Sequence, residues 1–147
     1  MNELPEHIHG EVESLSTLGD ALAEKRLYIE AIAEYNKAWK LIPEPKNAWE
    51  ASTWLLAAIG DACFLSTYFT SGSEALAYAV TCPGGLGNPF IHLRLGQCQF
   101  ELGNLDTAAD ELCRAYMGAG SDIFTGSNPK YFEFLKTRIA RPASGVW

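Results

Sequence analysis

Three glycines, Gly19, Gly60 and Gly96, each sit inside an apolar run of helical spacing, and each run is followed by a second whose small residues fall at matching places. The first reads Leu15, Leu18, Gly19 and Leu22, then Ala31, Tyr35 and Ala38, and closes on Pro43. The second reads Leu56, Ile59, Gly60 and Cys63, then Gly72, Leu76 and Ala79, and closes on Gly84. The third reads His92, Leu95, Gly96 and Gln99, then Ala108, Leu112 and Ala115, and closes on Gly120. Residues three and four apart share one face of a helix, so each run marks an amphipathic helix, with Leu15, Leu18 and Leu22 on one stripe in the first. A glycine within a helix costs about 1 kcal/mol relative to alanine, and three at matched positions need a compensating gain. Close approach of a partner helix supplies it, with Ala31 and Ala38, Gly72 and Ala79, and Ala108 and Ala115 as the small residues on the facing side. The chain is therefore expected to form three helix pairs.

The spacing between units is uneven. Gly19 and Gly60 lie 41 residues apart, Gly60 and Gly96 only 36. The longer interval contains Pro43 and Pro45, which end the preceding helix, and Asn47-x-x-Glu50, which reads as a capping box opening the next. The third helix is thus expected to start early and to run to about Tyr68. The run Cys82-Pro83-Gly84-Gly85-Leu86-Gly87 reads as a long turn, after which Asn88 caps a helix and Pro89 takes its first position. Asn128-Pro129 repeats that start signal before Tyr131, Phe132, Leu135 and Ile139, an amphipathic stretch expected to act as a capping helix.

From residue 14 to 120 this pattern resembles the tetratricopeptide repeat, a helix-turn-helix unit of about 34 residues. The resemblance implies an all-α fold, a right-handed superhelix of three TPR-like helix-turn-helix units plus a C-terminal capping helix. Residues 1–10 are expected to form a flexible acidic N-terminus, 11–140 a single helical repeat domain and 141–147 a C-terminal tail. The segment from Gly87 to Gly103 is similar to one that recurs in bacterial repeat proteins, some of which have antitoxin or immunity roles.

Composition narrows the function classes. A hydrophobic share of 48% with 20% charged residues describes an ordered chain, and 147 residues suit one domain. No stretch reaches the roughly 18 consecutive apolar residues of a membrane span, and the first fifteen residues lack the apolar core of a secretory signal, so a cytoplasmic protein is expected. Cys63, Cys82, Cys98 and Cys113 include no Cys-x-x-Cys pair that would hold zinc. They read as buried free thiols, with Cys82 beside the glycine-rich turn as the exposed one. The formal net charge of -7 disfavours nucleic acid, which demands a clustered positive surface. Glu3, Glu6, Glu11, Glu13, Asp20 and Glu24 occupy a first segment without Lys or Arg, and Lys130, Lys136, Arg138 and Arg141 cluster at the other end. The acidic end fits a basic protein partner, or serves only as a solvated face that aids solubility.

Residues capable of chemistry are present but unordered. Glu6-His7-x-His9 with Glu11 has metal-ligand residue types, yet a frayed terminus lacks the packed surroundings that fix ligands; no metal or other cofactor is expected. Gly84-Gly85-x-Gly87 precedes a helix but lacks the Gly-Lys-Ser/Thr ending of a phosphate loop. His92 stands where the motif favours a large apolar residue and reads as a packed helix residue, the enzymatic alternative being a base acting with a nearby carboxylate.

In the repeat family the first helix of each pair lines a concave face, which implies a binding surface here. Its candidate partner-binding residues are Asp20, Glu24, Trp54, Asp61, Phe64, Phe90, Arg94, Gln97 and Phe100. Aromatic residues flanked by carboxylates suit an apolar anchor with basic neighbours. Alternatively Trp54, Phe64, Phe90 and Phe100 are core, sealed by the long third helix or the capping helix. The ring of Lys, Asn and Arg with which chaperone adaptors of this family grip an acidic peptide is missing, Arg94 being the lone cation. The leading expectation is a non-enzymatic bacterial immunity protein that neutralises a cognate toxin, and the alternative is a chaperone for a secreted virulence or translocon protein.

Overall fold

A computed structural model describes residues 2–147. Among them the chain is all-helical, with no strand: α1 (Glu6–Glu24), α2 (Tyr28–Leu41), α3 (Glu50–Leu65), α4 (Phe69–Val80), α5 (Pro89–Glu101), α6 (Leu105–Ala119) and the short α7 (Lys130–Lys136). The helices pack in sequential pairs, α1 with α2, α3 with α4 and α5 with α6, and the pairs stack in order through α2 on α3 and α4 on α5. α3 also touches both α1 and α5, so the first helices of the pairs share one side of the stack.

Each of the three glycines faces the residue sixteen positions later in its partner helix. A Cβ at Gly19 would lie 2.5 Å from the Tyr35 ring, one at Gly96 would lie 2.8 Å from Leu112, and one at Gly60 would overlap Leu76. Tyr35, Leu76 and Leu112 are buried, as are Ala31, Ala38, Ala79, Ala108 and Ala115. The glycine pattern thus encodes three equivalent knobs, each filling the space of an absent side chain.

The turns within the pairs repeat as well. Arg26, Thr67 and Gly103, each seven residues past the glycine, adopt left-handed backbone with φ of 61°, 67° and 82°. After each, an amide reaches back to the end of the first helix: Leu27 N–H to Leu22 O, Tyr68 N–H to Cys63 O and Asn104 N–H to Gln99 O. This is the left-handed stop that closes a helix by bonding its last free carbonyls. It ends α3 at Leu65, short of the expected Tyr68. Nor does Asn47 cap α3: Lys46–Ala48 form a 3-10 turn, Trp49 precedes the helix, and no side chain caps it. The five extra residues of the first interval therefore lie in the linker, where the Lys46 ammonium donates to the carbonyls of Trp39 and Ile42. Asn88 does cap α5, accepting from Ile91 N–H at 3.2 Å with Pro89 in the first turn.

Further expectations are corrected. On α1 the buried positions are Val12, Ser16 and Gly19, whereas Leu18 is 48% exposed; the stripe is turned toward Val12, and Ser16 satisfies its hydroxyl on Val12 O. α1 begins at Glu6, inside the segment expected to be flexible, and Leu4 ahead of it is buried. Cys82 is buried, with its thiol directed at Tyr78 O, and Cys113 is the partly exposed cysteine. α7 stops at Lys136, leaving Ile139 beyond it. Trp147 lies against Tyr116 and Phe132, both at 6.1 Å between ring centroids.

Candidate protein-binding surface

The residue after each glycine, Asp20, Asp61 and Gln97, is polar, and each engages a specific partner on the side formed by α1, α3 and α5. Asp20 accepts from the Tyr35 hydroxyl at 2.6 Å. Burial first, and then this hydrogen bond, pushes the Tyr35 hydroxyl above its usual pKa. Asp61 accepts from Arg94 Nε at 2.7 Å, Arg94 Nη1 donates to Gln97 Oε1 at 2.7 Å, and Gln97 Nε2 donates to Ser127 Oγ at 2.8 Å. The Arg94 guanidinium lies over the rings of Phe64 and Phe90, at 4.7 and 5.3 Å from their centroids. A guanidinium that stacks on aromatic rings and bonds a carboxylate is held by both its face and its edge. Arg94, expected as the lone cation of the surface, is thus neutralised from within. Gln97, expected to meet a partner, is wholly buried at 0% exposure.

The four candidate aromatics divide. α7 folds back so that Tyr131 stands against Phe100 and Phe64, with centroids 5.4 and 6.1 Å apart, and Phe134 lies 5.1 Å from Phe100. Tyr131 donates to Glu101 at 2.7 Å and Lys130 pairs with the same carboxylate at 2.8 Å. Burial opposes ionisation of Glu101, but these two donors hold its carboxyl below the usual range. Phe64 and Phe100 are therefore half-buried core under the capping helix. Trp54 and Phe90 remain on the surface, 42% and 39% exposed.

Two acidic regions result. Asp20, Glu24 and Asp61 line one shallow hollow of about 380 Å³ with Tyr28, Tyr35 and Leu65. Trp54 stands apart from it, between hollows of about 320 and 510 Å³ whose walls include Asn2 and Glu50. The nine candidate residues thus form a linked group at Arg94, an acidic hollow beside it, a separate site at Trp54 and, in Phe64 and Phe100, half-buried core beneath α7, Phe64 also lying under the Arg94 guanidinium.

His92 is 1% exposed. Its Nε2 accepts from Gly87 N–H at 2.9 Å, so the proton resides on Nδ1, which donates to Glu111 Oε2 at 2.6 Å. The ring ties the glycine-rich turn to α6, with both nitrogens occupied. Of the two N-terminal histidines, His9 bonds Glu13 at 2.9 Å, and among the described residues no three His, Cys, Asp or Glu side chains gather as metal ligands. No helix among those residues is long and apolar enough to cross a membrane.

Sequence reasoning missed Ser127, the Tyr35 to Asp20 bond and the carboxylates around Trp54. The first two had a legible signal in the polar residue that follows every glycine. For the third, Glu50 had a signal in its four-residue spacing from Trp54 on α3, whereas Glu3 and Glu6 reach Trp54 only through folding. No protein-family model matches the chain, and comparison with curated proteins finds no match.

Proposed function

We propose that this chain is a non-enzymatic protein-binding module, a right-handed superhelix of three TPR-like units closed by α7, that engages a basic protein partner through the face of α1, α3 and α5. The more specific reading is a cytoplasmic bacterial immunity protein that occludes a toxin with a basic active site. The observation that carries it is the charge arrangement of that face. Asp20, Glu24, Glu3, Glu6 and Glu50 border its hollows, and its one arginine is already bonded to Asp61. A face so arranged attracts and orients cationic surfaces. The non-enzymatic part of this reading draws support from His92, whose nitrogens are both engaged away from solvent.

A second reading, a chaperone for a secreted client, draws support from the opposite side. There a groove of about 430 Å³ between α2 and α4 is lined by Ile29, Ile32, Trp39, Leu56, Ile59 and Tyr68, and Ile29 and Tyr68 are each 53% exposed. Such a groove suits an apolar client segment.

Recovery of the tagged protein from its native cell extract tests both. The immunity reading expects a stoichiometric basic partner, affinity that falls with salt, and at least tenfold weaker binding by Glu24→Lys. Asp61 is unsuitable for this test because its loss also frees Arg94. Unchanged binding of Glu24→Lys at physiological salt overturns the acidic-face reading. Loss of the gene inhibits the cell if the protein is an immunity protein and impairs only secretion if it is a chaperone.

A further inference from the structure

We propose that the groove around Trp54 seats an arginine-bearing segment of the partner, with the guanidinium flat on the indole and its edge toward Glu50 and Glu6. This rests on the basic-partner reading and gives it an anchor. Helix α3 carries one pairing of carboxylate and aromatic ring twice. Asp61 and Phe64, one turn apart, hold the guanidinium of Arg94 between carboxylate and ring. Glu50 and Trp54, also one turn apart on that helix, repeat the pairing of carboxylate and aromatic, and among the described residues no cation occupies it, His9 at its edge being paired with Glu13. Lys and Arg are absent from the walls of both hollows that meet at Trp54.

The groove is built rather than incidental. Its outer wall is the segment before α1, fixed by the buried Leu4 and by Glu50 N–H donating to Asn2 O at 2.9 Å. Its floor is apolar, from Ala51, Ala57 and Ile91, and its rim carries Glu3, Glu6 and Glu50. Trp54 is 42% exposed between the buried Thr53 and Leu55. Tryptophan offers the strongest cation–π face, and arginine is the cation that best combines stacking with carboxylate bonding.

The test is a titration of the ¹⁵N-labelled protein with an amidated tetra-arginine peptide, using tetra-citrulline as the neutral analogue of equal shape. The Trp54 indole N–H, assigned by its loss in Trp54→Phe, reports the location. The expected result is a saturable shift of that signal with tetra-arginine only, and an affinity, followed in every variant through the backbone amides of residues 50–57, that weakens at least fivefold in Trp54→Leu and in Glu50→Gln. Both positions are exposed, and melting curves verify that each variant folds. Equal shifts with tetra-citrulline, or unaltered affinity in both variants, overturn the proposal. With the natural partner, Trp54→Leu and Glu50→Gln leaving affinity intact while Glu24→Lys weakens it at least tenfold removes this subsite and preserves the basic-partner reading. An acidic natural partner, with tetra-arginine still shifting Trp54 as stated, removes that reading and preserves the cation subsite.

Discussion

Replacing one glycine by alanine should have opposite consequences at two positions of this chain, and the difference measures how the helix pairs are held. At Gly60 the new methyl overlaps Leu76 Cγ and lies 2.6 and 2.9 Å from its two methyl carbons. Leu76 is 0% exposed, so it yields only by pushing its neighbours. Overpacking of this kind costs about 3 kcal/mol at the upper end of the usual range, while the better helix propensity of alanine returns about 1 kcal/mol. Gly60→Ala is therefore expected to destabilise by about 2 kcal/mol, a fall in Tm of about 4–8 °C for a chain of this size. Gly10 lies within α1, and a methyl added there would meet nothing within 4 Å, so Gly10→Ala should stabilise by about 1 kcal/mol. Urea denaturation followed by circular dichroism measures both. A third variant separates packing from backbone effects. Leu76→Ala alone should cost about 2–5 kcal/mol, and in that background Gly60→Ala should become neutral or stabilising, a coupling energy of about 2–3 kcal/mol. If Gly60→Ala matches the parent or exceeds it, or if the two glycine effects have the same sign, close pairing through glycine is the wrong account.

Other expectations follow from the same geometry. Thr67 holds a left-handed φ of 67°, a conformation that disfavours residues with a Cβ by about 1–2 kcal/mol, so Thr67→Gly should raise stability by about 1 kcal/mol in the same denaturation assay. The hydroxyls of Tyr35 and Tyr131 are raised by burial and then by their bonds to Asp20 and Glu101. The folded state holds these protons more tightly than the unfolded chain, where tyrosine ionises at about pH 10. Their contribution to stability is therefore complete below about pH 10 and is lost as pH rises above it. Spectroscopic titration should find two of the six tyrosines ionising only with unfolding. Burial and the neighbouring Cys63 push the Cys98 thiol up to about 12, and burial also raises Cys63 and Cys82. A thiol-specific reagent should accordingly modify Cys113 in the native protein and the other three only after denaturation.

The pairing of helices was legible because a buried helix contact leaves a local trace, glycine opposite a large residue and alanine beside it. The start of α5 was legible for the same reason, since Asn88 and Pro89 act on their own backbone. What escaped depended on contacts between distant segments. Asn47 and Glu50 have the spacing of a capping box, but the linker bonds instead through Ser52 Oγ to Lys46 O and Trp49 Nε1 to Pro43 O. Leu18 fits the helical stripe as well as Val12 does, and only the placement of α2 decides which is covered. Phe64 and Phe100 have the composition of an interaction surface, and their burial depends on α7, which lies far along the chain from both. Gln97 sits where a surface residue is expected and is drawn inside by Arg94 and Ser127, which satisfy both ends of its amide.

The polar residue after each glycine bears on how the stack comes apart. In a linear array of helix pairs, cooperativity resides in the contacts between neighbours. Asp61 reaches forward to Arg94 in the third pair, and Gln97 reaches forward to Ser127 ahead of α7. Asp20 instead bonds Tyr35 within its own pair, because a tyrosine stands where the later pairs have leucine. The forward chain of polar links thus begins only at the second pair. Buried apolar residues still run without a break from α1 to α5, so α1 and α2 are held to the stack by burial without such a link; if the links add to cohesion, amide exchange should show protection falling first on the α1–α2 side of the linker at Pro43 to Trp49.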